Sequence, residues 1–256
     1  AVESLGLDNL AIMALNKLAE LACESIPGCI LQAFVYLSSP KEAGQYALFS
    51  IGVSSLTTGF ASAMISFDLD IDLTRRRNQP NYYGFLPDDN GLRGRCFTYM
   101  TMISALHNIS RSVGAALLVV SGGGWRLILF VGGELIAYNM YKIARGDWLT
   151  FPRLEGVANF YVVVVARIFE KIVVDFCGLL HVRHPYGMGG LAFSVSLAWA
   201  QVMPFVALWM WESEEAEKEN EEELRRTVRI LLICCASLWL VLNIMFFLTI
   251  DLRYAK

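Results

Sequence analysis

The stretch RIFEKIVVDF, residues 167–176, places Arg167, Glu170, Lys171 and Asp175 inside an apolar run that opens at NFYVVVVA and closes at CGLL. Standing alone in hydrocarbon, each such group costs roughly 2.5–3.5 kcal/mol, so four on one segment would cost about 10 kcal/mol. Their spacing offers relief. Arg167 and Glu170 are i,i+3, Lys171 and Asp175 are i,i+4, and Arg167, Lys171 and Asp175 continue along one helical face, so opposite charges meet on a single stripe. That stripe must face protein or water. Matching groups occur elsewhere: Lys17, Glu20 and Glu24 at i, i+3 and i+7, continuing through Gln32; His107, Asn108 and Arg111; Glu134 and Asn139. Together they predict a polar column through a helical bundle. Its chemistry would be recognition of charge rather than bond-making: Arg111, Arg167 and Lys171 suit a phosphate, and Glu20, Glu24 and Glu134 suit an amine. No catalytic residue is expected. The plainer reading, ion pairs that only fix helix register, stays open.

A second local feature lies in ESIPGCILQ, residues 24–32. Pro27 lacks an amide hydrogen and prises a helix open, and Gly28 lets a backbone or ligand approach beside the Glu24 carboxylate.

These residues need elements to hold them, and composition says of what kind. The 256-residue chain is 55% hydrophobic, with 15 Phe, 10 Tyr and 6 Trp and a mean hydropathy of +0.47. That is an integral membrane composition. Apolar length marks about seven hydrophobic helices in one all-α membrane domain, 1–256: Asp8–Leu37, Gly44–Phe67, Arg95–Val120, Trp125–Ile143, Gly156–Leu180, Gly187–Trp211 and Val228–Ile250. The second is rich in Ser, Gly and Ala, which allow close helix packing. Pro204 in the sixth is tolerable where neighbours satisfy the freed carbonyl. Trp125, Trp148, Trp209 and Trp211 lie at segment ends, as an interfacial belt requires.

The longest connection, 68–94, is polar and carries Arg75, Arg76, Arg77 and Arg93. Positive charge retained on its side of the membrane predicts that it is cytosolic. The charged fifth segment could cross or be re-entrant, and charge counting does not choose. The acidic stretch 212–227 reads as a solvated helical extension with Glu to Lys/Arg contacts. A net charge of −3 argues against nucleic acid. The six cysteines fall mostly in apolar runs as small hydrophobes, with no CxxC pair. His181 and His184 lack the carboxylate partners of a zinc site, and Asp68, Asp70 and Asp72 lack the Gly and distal Glu of a calcium loop. Neither metal nor cofactor is expected. An ion channel or coupled transporter would show like-charge rings or inverted repeats; neither stands out. A non-transporting scaffold that anchors a partner membrane protein remains an alternative.

The pattern Glu24, Ser25, Pro27, Leu31, Gln32 resembles the E-(S/T)-x-P-x-x-x-L-Q signature of the XK-related proteins, with Gly28 where that family usually has Gln. The order of later segments is similar: a Ser-rich helix ending in a polar cluster (SLTTGFASAMISFDLD), a helix with a central arginine (ALHNISRSVGAALL), a helix ending before an aromatic turn (YKIARGDWLTF), a half-polar segment and two closing helices. The resemblance spans nearly the whole chain and about the C-terminal two-thirds of the family, so the chain is expected to be a fragment missing upstream helices. It implies passive phospholipid scrambling along a polar ladder, to which Glu24 and Arg111 would belong. It further implies a re-entrant fifth segment and a cytosolic C-terminus. Two features depart from the family: LAFSVSLAWAQVM lacks its penultimate-helix aspartate, and FDLDIDL replaces its basic-aromatic helix ending. The expected ligands are membrane phospholipids, the expected partner a membrane protein or a second copy, and the expected location the plasma membrane.

Overall fold

The computed structural model describes residues 9–78, 83–84, 86–144, 165, 168–169, 171–178, 191–214 and 222–251, and every regular element among them is helical. The first apolar segment forms α1 (Asn9–Glu20), one π-helical turn (Leu21–Ser25) and α2 (Ile26–Ser38). The wide turn follows from Pro27 at the start of α2: the ladder is re-spaced just before the residue that cannot donate, and the Ile26 amide reaches back five residues to the Leu21 carbonyl.

α3 (Pro40–Ile71) breaks near its start at Gly44, whose φ of 60° and ψ of −168° suit glycine alone. α4 (Leu73–Asn78) follows directly, so the connection expected as a loop from residue 68 is helical for much of its first half. α5 (Asn90–Gly122) starts at Asp89, whose carboxylate accepts the Leu92 amide at 2.8 Å. α6 (Gly124–Ala144) leaves it through Gly123, at φ 87°. Of the fifth segment, 171–177 form helix α7, which stops at Gly178 in the left-handed region (φ 58°) rather than running to Leu180. α8 (Leu191–Glu214) contains Pro204, and α9 (Glu222–Asp251) begins ahead of the expected Val228, within the predicted acidic extension.

Among the described residues, four helices are long and apolar enough to cross a membrane: Ile12–Ser38, Pro40–Ile71, Asn90–Gly122 and Glu222–Ile250. α5 is the axis of the bundle, and α2, α3, α6, α8 and α9 all pack on it. Of its apolar window 78% is buried, against 22% for α9, which turns Ile233, Leu240, Val241, Ile244 and Phe247 outward. The most enclosed helix is therefore not the most apolar one, whereas α9 has the highest hydropathy and the barest surface.

Two glycines set how closely α5 is approached. A Cβ at Gly59 on α3 would lie 2.6 Å from the Ala105 amide nitrogen and 2.8 Å from the Thr101 carbonyl oxygen. One at Gly114 on α5 would lie 2.8 Å from the Pro204 Cα. Such contacts are the small-residue packing of membrane helices.

The connection from α3 to α5 is organised by Asp70, which is 2% exposed. Its carboxylate accepts the Gly84 and Leu86 amides at 2.8 and 2.9 Å and pairs with Arg76 at 3.4 Å. Arg76 also donates to Asp88 at 2.7 Å and to the Asp70 and Leu86 carbonyls. Asp70 thus ties the connection to the end of α3, with the bound residue Leu86 fully buried.

Gly59→Val should destabilise the protein by about 1–3 kcal/mol, because backbone faces the added side chain and cannot rotate away. Gly28→Ala, where nothing lies within 4 Å, should be neutral or stabilising. Thermal unfolding of the two variants in the same detergent checks both.

Candidate functional site

A bundle axis in a low-dielectric interior should be apolar, yet α5 buries Ser104, His107, Asn108, Ser110, Arg111 and Ser112. Each needs an answer from a neighbouring helix.

Arg111 is 0% exposed. Its guanidinium grips Glu134, near the middle of α6, through Nη2 to Oε2 at 2.7 Å and Nη1 to Oε1 at 3.3 Å. The fork geometry is the strong form of such a pair. The Arg111 Nε has no hydrogen-bond partner among the described residues, and the Phe176 ring of α7 lies 5.3 Å from the guanidinium carbon. One turn before Asp175, Lys171 forms an ion pair with that carboxylate along the inner face of α7. The Lys171 ammonium also lies 5.5 Å from the Tyr138 ring of α6. Asp175 is within electrostatic reach of Arg111 and Glu134 as well. The result is a quartet, Arg111 and Lys171 against Glu134 and Asp175, drawn from three elements and neutral in sum. Glu134 is its most accessible member, with 11% of its side chain exposed.

His107, midway along α5, joins this quartet to α8. Its Nε2 lies 2.7 Å from the Asp175 carbonyl oxygen, and Gln201 Nε2 contacts Nδ1. A carbonyl can only accept, so Nε2 carries the proton, and neutral Nδ1 accepts from the Gln201 amide. This bond gives a partner to one of the carbonyls that the end of α7 leaves over. Trp239 of α9 stands beside the ring, 6.1 Å between centroids.

Next to His107, Asn108 faces the opposite wall. Its amide donates to Ser55 Oγ at 3.3 Å and Cys29 Sγ at 3.2 Å, and its carbonyl accepts from Ser112 at 3.2 Å. Thr58 lies 3.8 Å from the same sulfur. Polar links thus tie α2, α3 and α5 on one side and α5, α6, α7 and α8 on the other.

The candidate residues divide accordingly. Arg111, Glu134, Lys171 and Asp175 come together. Glu20, Glu24 and Pro27 lie exposed on the outer face of the first segment, whose inner face is Leu21, Ala22, Ile26 and Cys29. Gln32 is half-buried with Oε1 lacking a hydrogen-bond partner among the described residues. Asn139 turns to the Leu135 carbonyl of its own helix at 2.8 Å. Arg167 and Glu170 lie outside the described residues, as do His181 and His184. No cluster of metal-ligating side chains occurs among the described residues. Gln201, Cys29, Ser55 and Tyr138 were not anticipated. Gln201 alone left a signal, a single carboxamide in an otherwise apolar stretch. No protein-family model, curated protein or solved structure matches the chain.

Removing one partner of the Arg111–Glu134 pair should cost about 3–5 kcal/mol, since the other charge is left buried, while Arg111→Met with Glu134→Leu together should cost far less. A double-mutant cycle on thermal midpoints reads the difference.

Proposed function

We propose that the chain is a membrane protein of the XK-related scramblase kind that lets phospholipids exchange passively between leaflets, with the charged quartet as a polar step for the head group. The observation carrying this reading is that two cations and two carboxylates from α5, α6 and α7 meet deep in a bundle whose outer helices are apolar. A zwitterionic head group presents the same pair of charges. It cannot cross about 30 Å of hydrocarbon unaided because phosphate and amine lose their water, while its acyl chains are at ease throughout. Arg111 and Lys171 would meet the phosphate, Glu134 and Asp175 the amine, and Glu20 and Glu24 on the outward face would receive the head group from the lipid side. Arg167 and Glu170 would extend the same series.

In this reading seven hydrophobic segments make the domain and the fifth is re-entrant. The end of α7 beside His107, halfway along α5, supports a turn inside the bundle. The 68–94 connection is cytosolic, the membrane is the plasma membrane, and a second copy or another membrane protein is the partner. A scaffold role is the second reading, favoured by the internal neutrality of the quartet, which can fix helix register with no traffic.

Reconstitution in liposomes with a fluorescent phospholipid and a membrane-impermeant quencher separates the two. Scrambling should carry quenching well beyond the outer-leaflet half, and Arg111→Ala or Glu24→Ala should slow it. A plateau at half with monodisperse, folded protein would leave the scaffold reading standing.

A further inference from the structure

Where α3 passes into α4 and α5 begins, two guanidiniums converge on one point. Arg76 Nη1 donates to Asp88 Oδ1 at 2.7 Å, and Arg93 Nη2 donates to the same oxygen at 3.2 Å. The carboxylate they share stands in the open, with 80% of its side chain exposed, whereas the arginines are 16% and 27% exposed. The arginines do not owe their positions to it. Arg76 Nε donates to the Asp70 carbonyl at 2.6 Å and its Nη2 to the Leu86 carbonyl at 3.2 Å, and Arg93 Nε donates to the Pro87 carbonyl at 3.1 Å. Backbone oxygens aim both cations, and a surface carboxylate fills the point between them.

That point suits a phosphate better than a carboxylate. An exposed ion pair contributes little, so Asp88 is displaced without great cost. A phosphate monoester brings three acceptor oxygens and about twice the charge of a carboxylate, and the guanidinium fork matches it. With Asp88 turned away, Arg76 and Arg93 together carry two charges against the one on Asp70. The neighbouring acids are engaged elsewhere: Asp72 pairs with Arg75 at 3.7 Å, Asp89 caps α5 through the Leu92 amide, and Asp68 lies within electrostatic reach of Lys17. The next arginines along α4 and α5, Arg77 and Arg95, are exposed. Depth selects the source of the phosphate. α4 follows directly on the membrane-length helix Pro40–Ile71, and Leu73 at its start is 66% exposed. That is the level at which a span leaves hydrocarbon and the head groups of lipids lie.

We propose that Arg76 and Arg93 form a binding site for the phosphomonoester head group of an anionic phospholipid, and that the chain's own Asp88 carboxylate occupies the site in its absence. Binding exchanges one anion for another: Asp88 swings into water, while the Asp70 bridge to Gly84 and Leu86 stays as it is. Occupancy fastens the 68–94 connection to the leaflet on its own side. The site needs no movement of lipid between leaflets, so it stands or falls apart from the scrambling reading.

Native mass spectrometry of the whole chain in a neutral detergent tests the site. The probe is dioctanoyl phosphatidic acid, with dioctanoyl phosphatidylcholine as the lipid control and inorganic phosphate as the soluble one. Phosphatidic acid should bind in preference to phosphatidylcholine. Asp88→Asn removes the built-in competitor and should raise the affinity for phosphatidic acid by about three- to tenfold, the worth of two exposed ion pairs. Adding Arg93→Gln to that variant should lower it by about tenfold or more, the loss of a hydrogen bond to a charged group. Adding Arg95→Gln instead removes the same charge nearby and should change it by less than about twofold. Equal binding of the two lipids would overturn the site. So would an Asp88→Asn protein that binds phosphatidic acid no more tightly than the unmodified one, or an Arg95→Gln effect as large as that of Arg93→Gln. Inorganic phosphate bound as tightly as the lipid would overturn the assignment to the membrane. Asp88→Asn changes an exposed side chain, so its comparison with the unmodified protein decides the matter even if the Arg93→Gln protein fails to fold.

Discussion

The structure depends on one constraint: the most enclosed helix carries an arginine, a histidine and an asparagine, and each of these three has to be answered by another helix. In water an unanswered Asn, His or Arg on a helix surface costs little. At the axis of an apolar bundle it costs several kcal/mol. The partners of α5 therefore are not spread at random. Arg111 takes Glu134, His107 takes the end of α7 and Gln201, and Asn108 takes Ser55 and Cys29. Apolar burial holds the helices together without saying which face goes where. The polar contacts say which.

The close approaches serve the same end. Gly59 and Gly114 bring α3 and α8 against α5 at backbone distance, and on the α3 side this places the short side chain of Ser55 within reach of Asn108. With larger residues at these crossings the helices would stand further apart, and a short hydroxyl would not span the gap. Leucine-rich packing elsewhere, as between Leu117, Leu118, Met203 and Leu232, fills space around these fixed points.

Much of the helical layout was legible in the sequence because apolar length is a one-dimensional property. The ends were harder. Nothing in DFCGLL distinguishes Gly178 as a terminator from a glycine that a helix carries through, since the difference lies in its φ angle. Spacing put Lys171 with Asp175 correctly, and also put Glu20 and Glu24 on one face, but spacing alone does not say whether a face turns inward. For the first segment Leu21, Ala22, Ile26 and Cys29 took the inner side, and the carboxylates went outward. Asp70 read as one of three similar aspartates. Its shortest hydrogen bonds come from the backbone amides of Gly84 and Leu86, and a backbone amide has no letter in a sequence.

The order in which these contacts fall along the chain has its own consequence. Arg111 leaves the ribosome before Glu134, and His107 long before Asp175 and Gln201. While α5 is newest, its charge and its ring have no answer, and entry into lipid at that moment is opposed by roughly 2.5–3.5 kcal/mol for the arginine alone. The Ser55 and Cys29 partners of Asn108, by contrast, are already made. Synthesis thus hands the membrane a helix settled on one side and unsettled on the other, which becomes a comfortable resident of the bilayer only when later segments arrive to complete it.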